Sequence, residues 1–481
     1  MAHPLTERIE RVLALQPDAH ALEFDGHWCT WGELAAFAQR IGAHATAGQH
    51  VGVLLRNRPQ HVATLLGLLL AGATLVVINP SRGEARTRAD IAALDLPVLI
   101  GAPDDLSTLA DPSPHTTTIT IRGLDQPPVA GPAAVPKHTA AQPGVAVRML
   151  TSGTTGPPKR VDLTYDMLAK SVLGDVPAAV RGGVAIVNAP LVHIGGVYRV
   201  LQCVCEARPF VLLDRFDLRT WAAAVRTHRP RAVSLVPAAL RTVLHSDLTR
   251  DDLASVRAVT SGTAPLSADD ADAFTEKFGV PVLTSYAATE FGGGVAGWSL
   301  ADHQEFWTAK RGSVGRATLG ARLRVVDDDG QPLPADRAGL LEVKPGQLGP
   351  DTAWIRTTDL ARIDVDGFLW ILGRADQAII RGGFKVLPDD VRAALESHPA
   401  VQGASVVGRS DERLGEIPVA MVELKPSATA TDRELIDYLS GRLARYEVPA
   451  EIAVVAEIPR TPSGKADLTE VRRHFEQDAR A

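Results

Sequence analysis

Cysteine is nearly missing from this chain: Cys29, Cys203 and Cys205 are the only three among 481 residues. Three thiols cannot build a disulfide framework, and the pair at 203 and 205 has no nearby His or Cys to complete a zinc set. Such usage predicts buried thiols in a reducing compartment. A basic surplus is missing too: 50 Lys and Arg face 56 Asp and Glu, a net charge of −6 without a basic patch. That balance argues against a nucleic acid or an anionic membrane as partner. The first ten residues carry charges and no apolar h-region, so no signal peptide is expected and the predicted location is cytoplasmic. The uncharged stretch 62–78 falls short of a membrane span. Gly72 inside it, followed by a β-branched run and Asn79-Pro80, predicts a buried helix C-cap leading into a strand.

A chain of this length exceeds what one hydrophobic core normally spans, so at least two domains are expected. Short apolar runs at 21–24, 51–55 and 73–78 alternate with helical patterns at 31–44 and 60–70. Further strands are predicted at 184–187, 207–213, 232–236, 258–260 and 280–283, with helices at 218–227, 237–245 and 267–278. This alternation predicts an α/β fold with a largely parallel sheet through the first three hundred residues. Residues 103–144, rich in Pro, Thr and Ala, are expected to form extended surface segments. From 312 the texture changes to short strands with Asp-Gly and Pro punctuation, predicting a small β subdomain with strands at 321–326, 339–343 and 367–372. Beyond 373 a compact α+β module is expected, with helices at 388–398 and 432–444 and strands at 401–407, 418–424 and 452–455. The predicted domains are 1–373 and 374–481.

Thr151-Ser152-Gly153-Thr154-Thr155-Gly156-Pro157-Pro158-Lys159 packs four hydroxyls, two glycines and a lysine into one loop. Glycines let successive N–H groups converge on an anion, the hydroxyls add donors, and the ammonium adds a point charge. The loop is therefore read as a phosphate cradle, distinct from the G-x-x-x-x-G-K-[ST] P-loop in its spacing and its two prolines. Other motifs follow in order: Pro190-Leu-Val-His193, Ser261-Gly-Thr-Ala-Pro265, Tyr286-Ala-Ala-Thr-Glu290, Arg356-Thr-Thr-Asp359, Gly373-Arg-Ala-Asp376 and Pro462-Ser-Gly-Lys465.

Together these motifs resemble, over nearly the whole chain, the adenylate-forming superfamily of acyl-CoA synthetases, peptide-synthetase adenylation domains and firefly luciferase. The resemblance implies an acetyl-CoA synthetase-like fold: a large N-terminal domain and a small, mobile C-terminal α+β domain hinged near Asp376. It implies ATP, Mg²⁺ and CoA, with a small carboxylic acid as substrate. Thr151, Ser152, Gly153, Thr154, Thr155, Gly156 and Lys159 would hold the β- and γ-phosphates. Gly262, Thr263, Ala264, Tyr286, Asp359 and Arg374 would hold the rest of the nucleotide, with Tyr286 stacked on adenine and Asp359, placed at a strand end, on the ribose hydroxyls. Thr289 would lie near the α-phosphate, Glu290 would bind Mg²⁺, and His193 would gate the carboxylate. Lys465 would swing in to bridge the attacking carboxylate and the α-phosphate, and Gly382 and Gly383 would let a pantetheine arm pass after domain rotation. Each residue also has an ordinary alternative: a helix N-cap at Thr289-Glu290, surface ion pairs at Asp359 and Arg374, a core histidine at 193, a solvated lysine at 465, and a hairpin turn at 382–383.

Three positions depart from the family pattern: Arg160, Thr358 and Ala287 each stand where glycine is usual, and the last borders the implied acyl pocket. The segment 192–196 offers no anion for an amino acid's amine, and its glycines leave room for a flat aromatic or short acyl acid. The predicted reaction is acid plus ATP to acyl-AMP, then transfer to CoA. Transfer to a carrier protein, with no carrier domain expected in this chain, or to an amine are the alternatives, as is a non-catalytic adenylate-binding regulator.

Overall fold

A computed structural model describes residues 2–111, 113–133, 142–150, 159–382, 384–461 and 464–478. The implied phosphate loop, Thr151 to Pro158, lies outside the described residues except for Lys159, and so does Gly383. The architecture is mixed α/β with a large N-terminal part and a small C-terminal one. Among the described residues the strands form five sheets.

The N-terminal α/β part carries three of them. The largest runs parallel through Thr117–Thr120, Val98–Gly101, His50–Leu54, Thr74–Ile78 and Val145–Leu150, with antiparallel strands Val129–Ala130 and Arg160–Thr164 at its edges. The helix Pro59–Leu70 packs against it, buried on nearly every side, with Pro at its first turn where a missing N–H costs nothing. Gly72 follows in the left-handed region at φ 71° and turns the chain into Thr74–Ile78, as the sequence predicts. No described helix is long and apolar enough to cross a membrane. A second sheet joins Ala185–Val187, Phe210–Leu212, His20–Phe24 and His27–Thr30. A third runs parallel through Ala232–Ser234, Ala258–Ser261 and Val282–Ala288, then turns antiparallel into Gly293–Gly297 and Arg316–Ala317. The largely parallel α/β reading is thus distributed over three sheets, each carrying at least one antiparallel edge strand.

The β subdomain is an antiparallel sheet of Arg322–Val326, Gly339–Lys344, Ile355–Ile363 and Leu369–Arg374. Beyond it, Ile379–Arg381 and Phe384–Val386 form a hairpin that joins Gly415–Leu424, Val401–Asp411 and Glu451–Val455 in the fifth sheet, covered by Pro388–Glu396, Asp432–Ser440 and Leu468–Asp478. Thr431 and Glu434 cap the second of these helices reciprocally. The sheet changes between Arg374 and Ile379, which supports the boundary we propose at 373/374. Among the described residues of 103–144, Pro103–Leu109 corrects the expectation of extended segments, being a helix with Asp104 and Asp105 in its first turn, whereas Thr117–Thr120 and Val129–Ala130 are extended strands.

The cysteines behave as small hydrophobes. Cys203 and Cys205 are buried in the main N-terminal core, and burial pushes their thiols up to about 11 and about 12. Among the described residues no group of three His, Cys, Asp or Glu stands together as a metal cage.

Candidate functional site

The carboxyl ends of Ala258–Ser261 and Val282–Ala288 open on the edge where ligands of α/β sheets usually sit. Gly262 leaves the first of these strands so close to the second that a Cβ would stand 2.7 Å from the Ser285 hydroxyl. A larger residue would have to displace that hydroxyl and crowd the Ser285 carbonyl at 3.2 Å. Thr263 follows in the left-handed region at φ 71°, a costly conformation for a β-branched residue and one found mostly where the backbone is committed to a ligand. Thr289 and Glu290 form a single 3-10 turn directly after Val282–Ala288, so neither caps an α-helix, and Glu290 is exposed.

Tyr286 reaches from the same strand to the β subdomain, where its hydroxyl donates to Asp359 Oδ2. Its ring packs at 6.0 Å from that of Phe291. Burial and the neighbouring carboxylates hold the Tyr286 phenol far above its ordinary range, so it stays a donor. Asp359 lies within Ile355–Ile363, opposite Arg374 in register, and not at a strand end as expected. A register shift at the next pair opens the sheet there. Burial raises the Asp359 carboxyl, while the Tyr286 hydroxyl and the Arg374 charge pull it back down. Thr357 steadies the strand by donating to Leu341 O at 2.8 Å and accepting from the Asp359 N–H at 3.0 Å.

Arg374 ends Leu369–Arg374 and grips Asp376 with two bonds of 2.9 and 2.6 Å. It also donates to Thr358 Oγ1 at 2.7 Å. Thr358, one of the unusual residues, therefore orients the arginine. Arg160, another, is a tether: it donates to both oxygens of Asp90 at 2.7 Å and to Val77 O at 3.1 Å, tying its strand to the helix Glu84–Leu94. Ala287, the third, pairs with Gly294 across a register shift.

Lys465 arrives from the other end of the chain. Its turn is closed by Gly464 N–H donating to Thr461 O at 2.8 Å and Thr461 N–H donating to Lys465 O at 2.7 Å, with Gly464 at φ 80°. That turn rests on the N-terminal part: a Cβ on Gly464 would sit 3.4 Å from Val236 Cγ2. The Lys465 ammonium is desolvated, which lowers its pKa, and Arg374 lowers it further while Glu290 and Asp359 act in the opposite sense. Two cations, Lys465 and Arg374, and two carboxylates, Glu290 and Asp359, thus share one field.

The neighbouring wall is small and uncharged. His193 precedes Ile194–Cys205 and its carbonyl accepts from Gly196 and Val197 at 3.0 and 3.2 Å. Tyr198, on that helix, donates to Gly292 O at 2.6 Å, and Gln347 donates to Gly294 O at 2.6 Å. Nothing lies within 4 Å of where side chains on Gly195 and Gly294 would begin. Tyr198 and Gln347 were not legible in the sequence, since neither belongs to a motif. Lys159 is exposed at the start of Arg160–Thr164, and Ala264 follows Thr263 in the same loop. Gly382 sits at φ 57° in the turn between Ile379–Arg381 and Phe384–Val386, the hairpin alternative raised for it.

Comparison with known proteins matches residues 9–349 to the family described as AMP-binding enzyme and 390–465 to the AMP-binding enzyme C-terminal domain. The chain is 28% identical to an indoleacetate–CoA ligase of Aromatoleum aromaticum, with 98% of each chain covered. It is 31% identical to a sulfoacetate–CoA ligase of Cupriavidus necator, covering 96% of this chain and 94% of the relative. Among solved structures it resembles O-succinylbenzoate coenzyme A synthetase of Bacillus subtilis in complex with ATP and magnesium ion, at TM-score 0.78 and 26% identity, over 98% and 99% of the two chains.

Proposed function

Because the chain belongs to the AMP-binding enzyme family, the adenylate-forming superfamily in its acyl- and aryl-CoA synthetase type, we propose that it is an AMP-forming acid–CoA ligase. A carboxylate oxygen attacks the α-phosphorus of ATP, the bond to the bridging oxygen breaks, and pyrophosphate leaves with the electron pair. The thiol of CoA, losing its proton, then attacks the acyl carbonyl and AMP leaves. The observation that carries this reading is the seat of Lys465: its turn in the C-terminal module packs at Gly464 against Val236 of the N-terminal part, and its ammonium is desolvated within electrostatic reach of Arg374, Glu290 and Asp359.

Each side chain suits its part. Two anions must approach in the first step, and the Lys465 charge offsets their repulsion where negative charge develops. Asp359, fixed by Tyr286, accepts from the ribose hydroxyls, and Thr289 stands near the α-phosphate. Mg²⁺ is usually held by one or two carboxylates plus substrate phosphates. Glu290 is the carboxylate for it, and the ion would supply charge neutralisation on the phosphates. The phosphate loop completes the set, with Lys159 at its far end. His193 stands at the head of the acyl wall. The open space at Gly195 and Gly294, and relatives named for indoleacetate and sulfoacetate, support a flat aryl or short substituted acid.

ATP–pyrophosphate exchange over a panel of carboxylic acids tests this, with exchange expected for aryl or short acyl acids. Acyl-adenylate then supplied with CoA, a carrier phosphopantetheine or an amine should form the CoA thioester fastest. Silence over the panel despite ATP binding would favour a regulator, and transfer to the amine or carrier alone would replace CoA as acceptor.

The lysine also sets a pH signature. Lys465 must be protonated to act and its pKa lies below the ordinary 10.5, so kcat/KM for exchange should fall as pH rises through that lowered value. Lys465→Arg should move the basic limb upward, out of the measurable range. An unchanged limb in that variant would assign it to another group.

A further inference from the structure

The helix Pro237–Leu244 meets the C-terminal module through Arg241. Val236, just before it, receives the turn of Lys465 at Gly464, and His245, just after it, feels the charge of Lys425. Between them Arg241, its side chain 9% exposed, donates through Nη2 to Glu396 Oε2 at 2.9 Å. Glu396 belongs to Pro388–Glu396 and its side chain is 4% exposed. Both ends are braced from behind. Asp270 accepts from Arg241 Nε at 2.7 Å, and Arg392 donates to the same Glu396 oxygen at 2.7 Å while also bonding Asp389. Asp389 in turn lies against Gly373, next to the proposed hinge.

We propose that the Arg241–Glu396 ion pair positions the C-terminal module in its adenylating orientation, seating Lys465 through the shared helix Pro237–Leu244. A buried pair of this kind is a sharp orientation device, because its charges are compensated in one docking geometry and lose each other when the module turns. The brace keeps each charge paired after separation, Arg241 with Asp270 and Glu396 with Arg392, so the orientation can be left without stranding a lone buried ion. Arg241 and Glu396 are thus positioning residues for the first half-reaction. The inference rests on the proposed role of Lys465.

Three variants test it: Arg241→Gln, Glu396→Gln and the double substitution. Exchange of pyrophosphate should fall about tenfold in each single variant, and the double variant should be no worse than either single one, the mark of a coupled pair. Thioester formation from supplied acyl-adenylate should stay within about twofold of the parent, because that step does not use this orientation. Equal loss in both half-reactions, or additive losses, would overturn the proposal. Hydrogen exchange gives a readout that needs no acid: amides of 238–244 and 464–468 should exchange about tenfold faster in Glu396→Gln while 419–422, in the module's own core, stay protected. Unchanged exchange at 238–244 overturns the pair as a clamp, and faster exchange at 419–422 makes its role merely structural. If Lys465→Ala spares pyrophosphate exchange while the hydrogen-exchange pattern appears, the catalytic reading fails and the clamp stands.

Discussion

Lys465→Ala is expected to lower acyl-adenylate formation by about 10²–10³-fold, the usual cost of removing one charge-stabilising donor from a reacting site. Thioester formation from a supplied acyl-adenylate should change only a few-fold. The asymmetry follows from geometry: the lysine enters the field of Glu290 and Asp359 only with the module docked as it is here. A second nucleophile needs the same side of the adenylate, so Lys465 must leave before it arrives. Pyrophosphate exchange and single-turnover thioester formation, measured separately, decide the matter. A loss of equal size in both steps would mean that the lysine only supports the fold. The turn itself is held by Thr461 and Gly464 backbone bonds that the substitution leaves intact, so the variant should melt at the parent's temperature.

Asp359→Ala is expected to weaken ATP binding by about 100-fold or more. Hydrogen bonds to a charged group contribute about 1.5–3 kcal/mol each, two ribose hydroxyls are involved, and each 1.4 kcal/mol is tenfold. The truncation also strips Tyr286 of the acceptor that fixes its hydroxyl and Arg374 of the carboxyl opposite it. Tyr286→Phe separates these effects: it keeps the carboxylate and should cost about tenfold or less. Titration calorimetry with ATP measures both variants. Binding by Asp359→Ala at the parent's affinity would remove the ribose from this residue and leave Asp359 as an anchor for Tyr286.

Much of the fold was legible because its signals are local. The strands His50–Leu54 and Thr74–Ile78 and the helix Pro59–Leu70 fall where the apolar periodicity puts them, with Gly72 marking the turn. The hairpin of Ile379–Arg381 and Phe384–Val386 fits Gly382, whose φ of 57° suits a tight turn. Several helices, Pro4–Leu15, Glu84–Leu94 and Ile194–Cys205 among them, are not in the sequence reading, and two others show why for different reasons. Pro103–Leu109 is only 7 residues long, too short for a period to register, although Pro followed by two aspartates is a helix-start signal. Leu468–Asp478 follows Asp467, whose carboxylate accepts from the Thr469 and Glu470 N–H groups, a cap overlooked beside the lysine motif. Asp359 lies inside its strand and not at the end because the strand Ile355–Ile363, absent from the sequence reading, runs on past it, with Thr357 bonded across the sheet.

Sequence by itself determined the α/β order and named the candidate groups: the glycines and hydroxyls of the proposed phosphate loop, Glu290, Asp359, Arg374 and Lys465. Those signals depend on backbone conformation and residue type within a few positions, and a linear reading contains both. Tertiary structure decided which of these groups meet. Tyr286 finds Asp359 across 73 positions, Arg241 finds Glu396 across 155, and Lys465 is brought to Glu290 and Asp359 by how one module docks on another. It also gave the unusual residues their places, Thr358 on Arg374 and Arg160 on Asp90. Contacts over such separations depend on the packing and orientation of whole elements, which no local pattern of residues encodes.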